Sequence, residues 1–525
     1  MPMTHLLSTS RVVFFNPLAL AAALMLGAAG PLHAQDDTRR MEAALARSLL
    51  TLDAIDSTSR DNGFVSLLTD DALFYIDPAT QAVVPLTAAS YDFVDDTTLD
   101  IVLRDDVLFH DGSTMTADDV VYTFSAYIDP DSELRRAHTY RRWISSVEKL
   151  DDLTVRMHLA QPDPMVLQYL AVDGKTVKAG TYGEAGARDW KAQATGIVGN
   201  GPYRVVSFEP GQELVLERFA DYRAGSPKGM PEVGQIRFRV IPDYSTQAAE
   251  IISGNLDWAN DVPTDIAEQA ASFSEDVNFM SAPSMRIGYI ILDAKGRTGE
   301  DAPTTDVKVR QALSEAIDRD LIAQQLVGGS AKAALTPCLP IQFGCAQDVP
   351  THGYNPDHAR ALLKEAGYED GFDLEVWSSR AGTKEILEAV VSMWRDVGVR
   401  ANLRFVESSA LTKARDEGQL AAYFDNNGSQ GLADVNALLP NQFIDTSPND
   451  FHGDPAVYDL LGKLTSTLDP QARSQIARET VALITDEVYW IPLYEFSANF
   501  LLSPRIDYPQ ADDGMQRLFL TTWKN

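Results

Sequence analysis

Apolar and polar positions alternate along this chain with two periods that take turns. Leu99, Ile101 and Leu103 alternate with Asp100, Val102 and Arg104, the period of a half-buried strand. His110-Asp111-Gly112 follows as a turn, with Gly112 free to adopt positive φ. Thr116 then reads as an N-cap, Asp119 three residues on completes a near capping box, and Asp118 and Asp119 suit the positive end of the helix dipole. Val120, Phe124 and Tyr127 repeat at i, i+4 and i+7, the apolar face of a helix.

The same reading extends along the chain. A strand pattern covers Leu153–Leu159. Tyr203–Phe208 and Glu213–Arg218 alternate around Glu209-Pro210-Gly211-Gln212, type II turn chemistry, so this is a hairpin. Ile236, Phe238 and Val240 form a strand that stops at Pro242, and Thr246–Ser253 reads as a helix closed by Gly254. Asp306–Leu326 gives the clearest helical stripe, through Val309, Leu313, Ala316 and Ile317. Asn355-Pro356-Asp357 opens another helix, with Gly367 beyond its end. Phe372–Trp377, Thr383–Val397 and Val399–Phe405 read as strand, helix, strand, a βαβ unit with parallel neighbours. Helical patterns near 454–467 and 470–486 precede a strand at Trp490–Tyr494, and 36–72 reads as a short lead-in. The class is α/β.

Residues 1–34 read as a cleavable export signal. Arg11 supplies the n-region, Leu18–Gly30 is apolar but too short to span a bilayer, and Leu32-His33-Ala34 places the cut before Gln35. A soluble, exported protein is expected. About 490 mature residues exceed one ordinary core, so two or three lobes are expected. With 44 Lys+Arg against 75 Asp+Glu the chain carries −31, which argues against nucleic acid or an anionic membrane as partner.

Cys338 and Cys345, in TPCLPIQFGC, read as a local disulfide in an oxidising compartment. The eight His are scattered and none has HExxH spacing, so no metal site and no cofactor are expected. His110 and Asp111 read as turn and cap, because no nucleophile lies nearby. Asn427-Gly428-Ser429-Gln430-Gly431 lacks the first Gly of a nucleophile elbow, so an enzyme is not expected.

Several segments resemble, in the same order, the family 5 extracytoplasmic solute-binding proteins, the peptide-binding subunits of bacterial ABC importers. They are LRDDVLFHDGSTMTADDVVYTF, GNGPYRVVSFEPGQELVLERFADY, IRFRVIPDYSTQAAEIISGNLDWANDVP, DVKVRQALSEAIDRDLI and YNPDHARALLKEAGYEDGF. The resemblance implies a periplasmic-binding-protein-like α/β fold (type II, cluster C), a two-lobed clamp with an extra inserted domain. Lobe one would combine 35–72, 200–285 and 488–525, with 73–199 inserted and 286–487 as lobe two. It implies a periplasmic location, capture of short peptides or peptide-like solutes between the lobes and delivery to inner-membrane permease subunits driven by a separate ATPase. The chain has no P-loop of its own. A monomer is expected.

Peptide-binding relatives hold the ligand's amino group with an acid and its carboxylate with an Arg. The acid lies in a loop like WTGDNGDPDN. Here the matching region is FDNNGSQGLADVNALLPNQF, where Asp434 aligns with the later Asp and Asp425 is the other nearby acid. Arg380, in the loop after the Phe372–Trp377 strand, is the carboxylate candidate. Asn426 and Asn427 can bond a peptide or sugar backbone, and Arg60 and Asn62 in the lead-in are further cleft candidates. Trp377 and Tyr423 suit core or pocket wall. The Trp-Thr-Gly-Asp core of that loop is absent, which keeps an oligosaccharide, an opine or a nickel chelate as the alternative cargo.

Overall fold

A computed structural model describes residues 39–182 and 198–524, apart from 58 and 430. The signal expected over 1–34 lies outside the described residues. Among these residues the principal sheet has eleven strands. From one edge the order is Arg400–Phe405, Asp373–Ser378, Ala422–Gly428, Asn278–Leu292, Trp490–Leu502, Trp258–Asn260, Arg40–Leu45, Gln235–Val240, Glu213–Arg218 and Tyr203–Glu209, and Lys332–Ala333 pairs with Trp490–Leu502 off this path.

The two longest strands, Asn278–Leu292 and Trp490–Leu502, are antiparallel and tie the halves of this sheet together. Asn278 to Pro283 pairs with Leu502 to Ser497, and Ile287 to Ile291 with Glu495 to Trp490; the register shifts between them. Met285 sits in that irregularity at φ 50°, a conformation that bends the strand and re-aims its neighbours.

Beyond the bulge, alternate side chains enter different cores, as a pleated strand requires. Ile290 and Leu292 pack with Phe424, Leu313 and Trp394. Ile287, Tyr289 and Ile291 pack with Tyr423, Trp490 and Val457. In the other half Trp258, Phe238 and Phe500 surround Phe64, while Ala259 and Leu501 meet helices Tyr244–Ile252 and Thr264–Phe273.

A separate four-stranded antiparallel sheet runs in the order Ala88–Asp95, Thr98–Leu103, Thr154–Leu159, Ile144–Lys149. Leu99, Ile101 and Leu103 are buried in it, and helix Ala117–Ile128 covers it with Val120, Phe124 and Tyr127. Asp119 Oδ2 accepts the Thr116 N–H at 2.8 Å, the reciprocal half of a capping box.

The hairpin forms as its pattern predicts, with Gly211 at φ 75°. So does the βαβ unit, with Asp373–Ser378 parallel to Arg400–Phe405 across helix Lys384–Asp396. Three boundaries differ. The stripe over 306–326 is not one helix but Val307–Glu315, Arg319–Leu321 and a π-helical turn at Ile322–Val327. Asp318 restarts the chain by accepting the Leu321 N–H at 3.0 Å, and the buried Arg319 guanidinium takes the Ser314 and Ile317 carbonyls that a continuous helix would use. The helix read at Thr246 begins at Tyr244, because Asp243 accepts the Thr246 N–H at 2.7 Å. The lead-in contains a strand, Arg40–Leu45, and a helix, Arg60–Thr69.

Candidate binding site

A cleft of about 700 Å³ opens between residues 135–173 and residues 427–465, a volume suited to a small solute. One wall carries Arg136, Tyr140, Trp143 and Tyr169; the other carries Asn427, Asn436, Leu432 and Tyr458. Aromatic faces, amides and charges of both signs thus line one space. Asp163 also faces it, and burial pushes that carboxyl up to about 6. Arg136 pairs with Asp173.

The Ala422–Gly428 strand connects this cleft to a charged seam. Asn427 and Gly428 line the cleft, while Asp425 and Asn426, just before them, belong to the seam. Ala422–Gly428 runs parallel to Asp373–Ser378, so the ends of both strands reach the same edge of the sheet. Arg380 follows the second strand and there lies 3.4 Å from Asp425. From the other half of the sheet Arg47 binds Asp61 through two N–H groups at 3.2 and 2.9 Å, and Arg60 pairs with Asp261. Burial pushes the Asp261 carboxyl up, but Arg60 and then Arg47 outweigh it and hold it below the usual range. Arg286, at the bulge of the long strand, donates to Asn426 Oδ1 at 2.7 Å.

The expected site residues therefore divide. Arg380, Asp425, Asn426 and Arg60 meet at the seam, and Asn427 lines the adjoining cleft, where its Oδ1 accepts the Gly428 N–H. Asn62 is buried and donates to the Thr51 carbonyl at 2.8 Å, which supports the chain behind Arg60. Asp434 is fully buried; its carboxylate pairs with Arg473 at 2.7 Å and accepts the Asn436 N–H. That carboxylate is committed to the fold. Trp377 and Tyr423 are core residues, Trp377 under the Arg404 guanidinium at 4.0 Å. Cys338 and Cys345 are joined as a disulfide, with Cα atoms 5.7 Å apart. His110 bonds the Gly201 carbonyl through Nε2 at 3.0 Å, a structural tie.

Arg47, Asp261 and Arg286 were not expected from the sequence. The signal for Arg286 is legible in retrospect: a lone cation opens the run RIGYIIL, where a buried strand has little use for one. Ser429 Oγ is buried with no hydrogen-bond partner among the described residues, so no general base activates it. No group of three or more His, Cys, Asp or Glu among the described residues is arranged to hold a metal ion.

The chain is 28% identical over 490 residues to a glutathione-binding protein of Salmonella typhimurium, covering 90% of this chain and 92% of that one. It is 25% identical over 467 residues to heme-binding protein A of Haemophilus influenzae, covering 83% of each. A dipeptide-binding protein from Pseudoalteromonas sp. SM9913, solved in complex with Met-Leu, superposes with a TM-score of 0.74 at 21% identity, over 93% of this chain and 100% of that one. The two-lobed clamp inferred from the sequence is therefore the fold of this molecule. A family model described as bacterial extracellular solute-binding proteins, family 5 Middle, matches residues 82–449, well over half of the chain. This protein belongs to family 5 of the bacterial extracellular solute-binding proteins, a family of non-enzymatic binding proteins.

Proposed function

We propose that this protein is the exported receptor of an ABC importer, capturing short peptides or peptide-like solutes between its lobes and handing them to a membrane permease. The observation that carries this reading is the cleft of about 700 Å³, whose walls come from two parts of the fold and offer aromatic faces, amides and both signs of charge. Such a lining suits a zwitterionic backbone with varied side chains. The glutathione-binding relative supports a peptide-like cargo.

In this reading lobe one comprises 35–72, 200–285 and 488–525, residues 73–199 form its inserted domain, and 286–487 form lobe two. The two long strands are then the crossings between lobes, and the bulge at Met285 is a hinge point. Residues 1–34 act as the export signal. The Cys338–Cys345 disulfide suits an oxidising compartment, and no described helix is long and apolar enough to cross a membrane.

Thermal and chemical melting in the presence of di- to pentapeptides tests the proposal. A cognate peptide at a hundred times its dissociation constant should add about 2.7 kcal/mol of stability. Stabilisation by an opine, an oligosaccharide or a nickel chelate, with none from any peptide, would overturn the peptide reading.

A further inference from the structure

The seam holds more cation than it can pair. Arg47 is matched by Asp61, Arg60 by Asp261 and Arg380 by Asp425. Arg286 has no carboxylate within ion-pair distance among the described residues. Its one hydrogen bond among the described residues goes to the neutral Asn426 Oδ1 at 2.7 Å. Arg60, Arg380 and Arg47 act on it as like charges, and Asp261 opposes them. This local excess stands out in a chain that carries −31.

Two buried arginines show what self-sufficiency looks like. Arg319 is buried and spends its guanidinium on the Pro492, Ser314 and Ile317 carbonyls and on Ser314 Oγ. Arg310 likewise bonds three carbonyl oxygens and Glu487. Among the described residues Arg286 leaves most of its N–H donors without a protein acceptor.

Its position is nonetheless built. The bulge at Met285 turns the strand where Arg286 leaves it. The guanidinium lies 4.8 Å from the centre of the Phe496 ring. Its stem crosses Gly428, a cleft residue: a methyl group there would sit 2.8 Å from Arg286 Cγ. Gly428 serves this close approach, since its φ is not positive. A cation held in place, partly exposed and with N–H groups left over for a ligand, is complementary to an anion.

We propose that Arg286 is an anion-binding residue of the solute site, taking a carboxylate of the cargo at the seam beside Arg60. It is distinct from Arg380, which already has Asp425. The inference rests on the solute-capture reading above and narrows its substrate class to solutes bearing a free carboxylate. Arg60 opens the helix Arg60–Thr69 and Arg286 lies at the bulge of the long strand Asn278–Leu292, so an anion between them offsets their repulsion and favours the closed clamp.

The test compares trialanine with its C-terminal amide by calorimetry on the wild type, Arg286→Gln and, should that variant not fold, Gly428→Ala, which displaces the Arg286 stem. The wild type should prefer the free acid by roughly tenfold or more, and either variant should bring that ratio close to one. A ratio that survives in the variant overturns the proposal. Should neither peptide bind the wild type, glutarate, a dicarboxylate without a peptide group, decides the role of Arg286, and the peptide reading is left to the di- to pentapeptide series above. A wild-type melting shift with glutarate that Arg286→Gln abolishes upholds it; no shift, or one that persists in the variant, overturns it.

Discussion

Asp434 and Arg473 illustrate why a residue's type does not fix its role. From the sequence Asp434 is a loop acid in a ligand-binding region. In the fold it is fully buried, paired and capping the turn at Val435–Ala437. Arg473→Ala should therefore leave a buried charge uncompensated and cost about 3–5 kcal/mol, read from urea unfolding. A change below about 1 kcal/mol would contradict the structural role. Asp70 gives a pH signature. Burial raises its carboxyl from the ordinary 3.8 to about 6, so between those values the folded chain holds more protons than the unfolded one. Its contribution therefore makes stability fall as pH rises from about 4 to about 6, and level off above. Asp70→Asn should flatten that slope in urea midpoints measured from pH 4 to 7; an unaltered slope would mean the carboxyl titrates normally. Neither effect is legible in the sequence, because both depend on burial by distant segments. The seam is half legible. Arg380 and Asp425 follow from strand ends and the family resemblance, whereas Arg286 needs the cross-strand neighbour Gly428 and the bulge to make sense.

At the scale of elements, local chemistry predicted most of what formed. The capped helix at Thr116, the Pro-Gly hairpin and the βαβ unit each carry their own signals in a few adjacent residues. The stripe over 306–326 misled because its apolar spacing continues across Asp318, while Asp318 and the buried Arg319 divert the backbone bonding. Periodicity reports which side faces the core and is silent on where the hydrogen bonds go. The lead-in strand Arg40–Leu45 was missed for another reason: its value is as the parallel partner of Gln235–Val240, far away in sequence. The Cys338–Cys345 loop makes an element-scale prediction. By chain entropy, opening so short a loop should cost roughly 2–3 kcal/mol. Denaturation with and without reductant measures this, and no difference would show that the crosslink is absent or energetically idle.

For the whole molecule the organising feature is a pair of long strands shared by both halves of one sheet, with a register shift where they cross. A chain tied together this way can close without breaking its sheet, provided the bend is confined to the bulge. The seam arginines and the cleft lie beside that bend. The family resemblance implies two crossings between lobes; alternation alone does not, since a long strand reads like any other strand. As a receptor, the clamp should take up one solute and release it unchanged. Native mass spectrometry of the protein with its bound solute, followed by release and weighing of that solute, tests this most directly. One solute per chain, recovered at its original mass, is the expected result. A chain that retains no solute, or a recovered solute that has been cleaved, would contradict it.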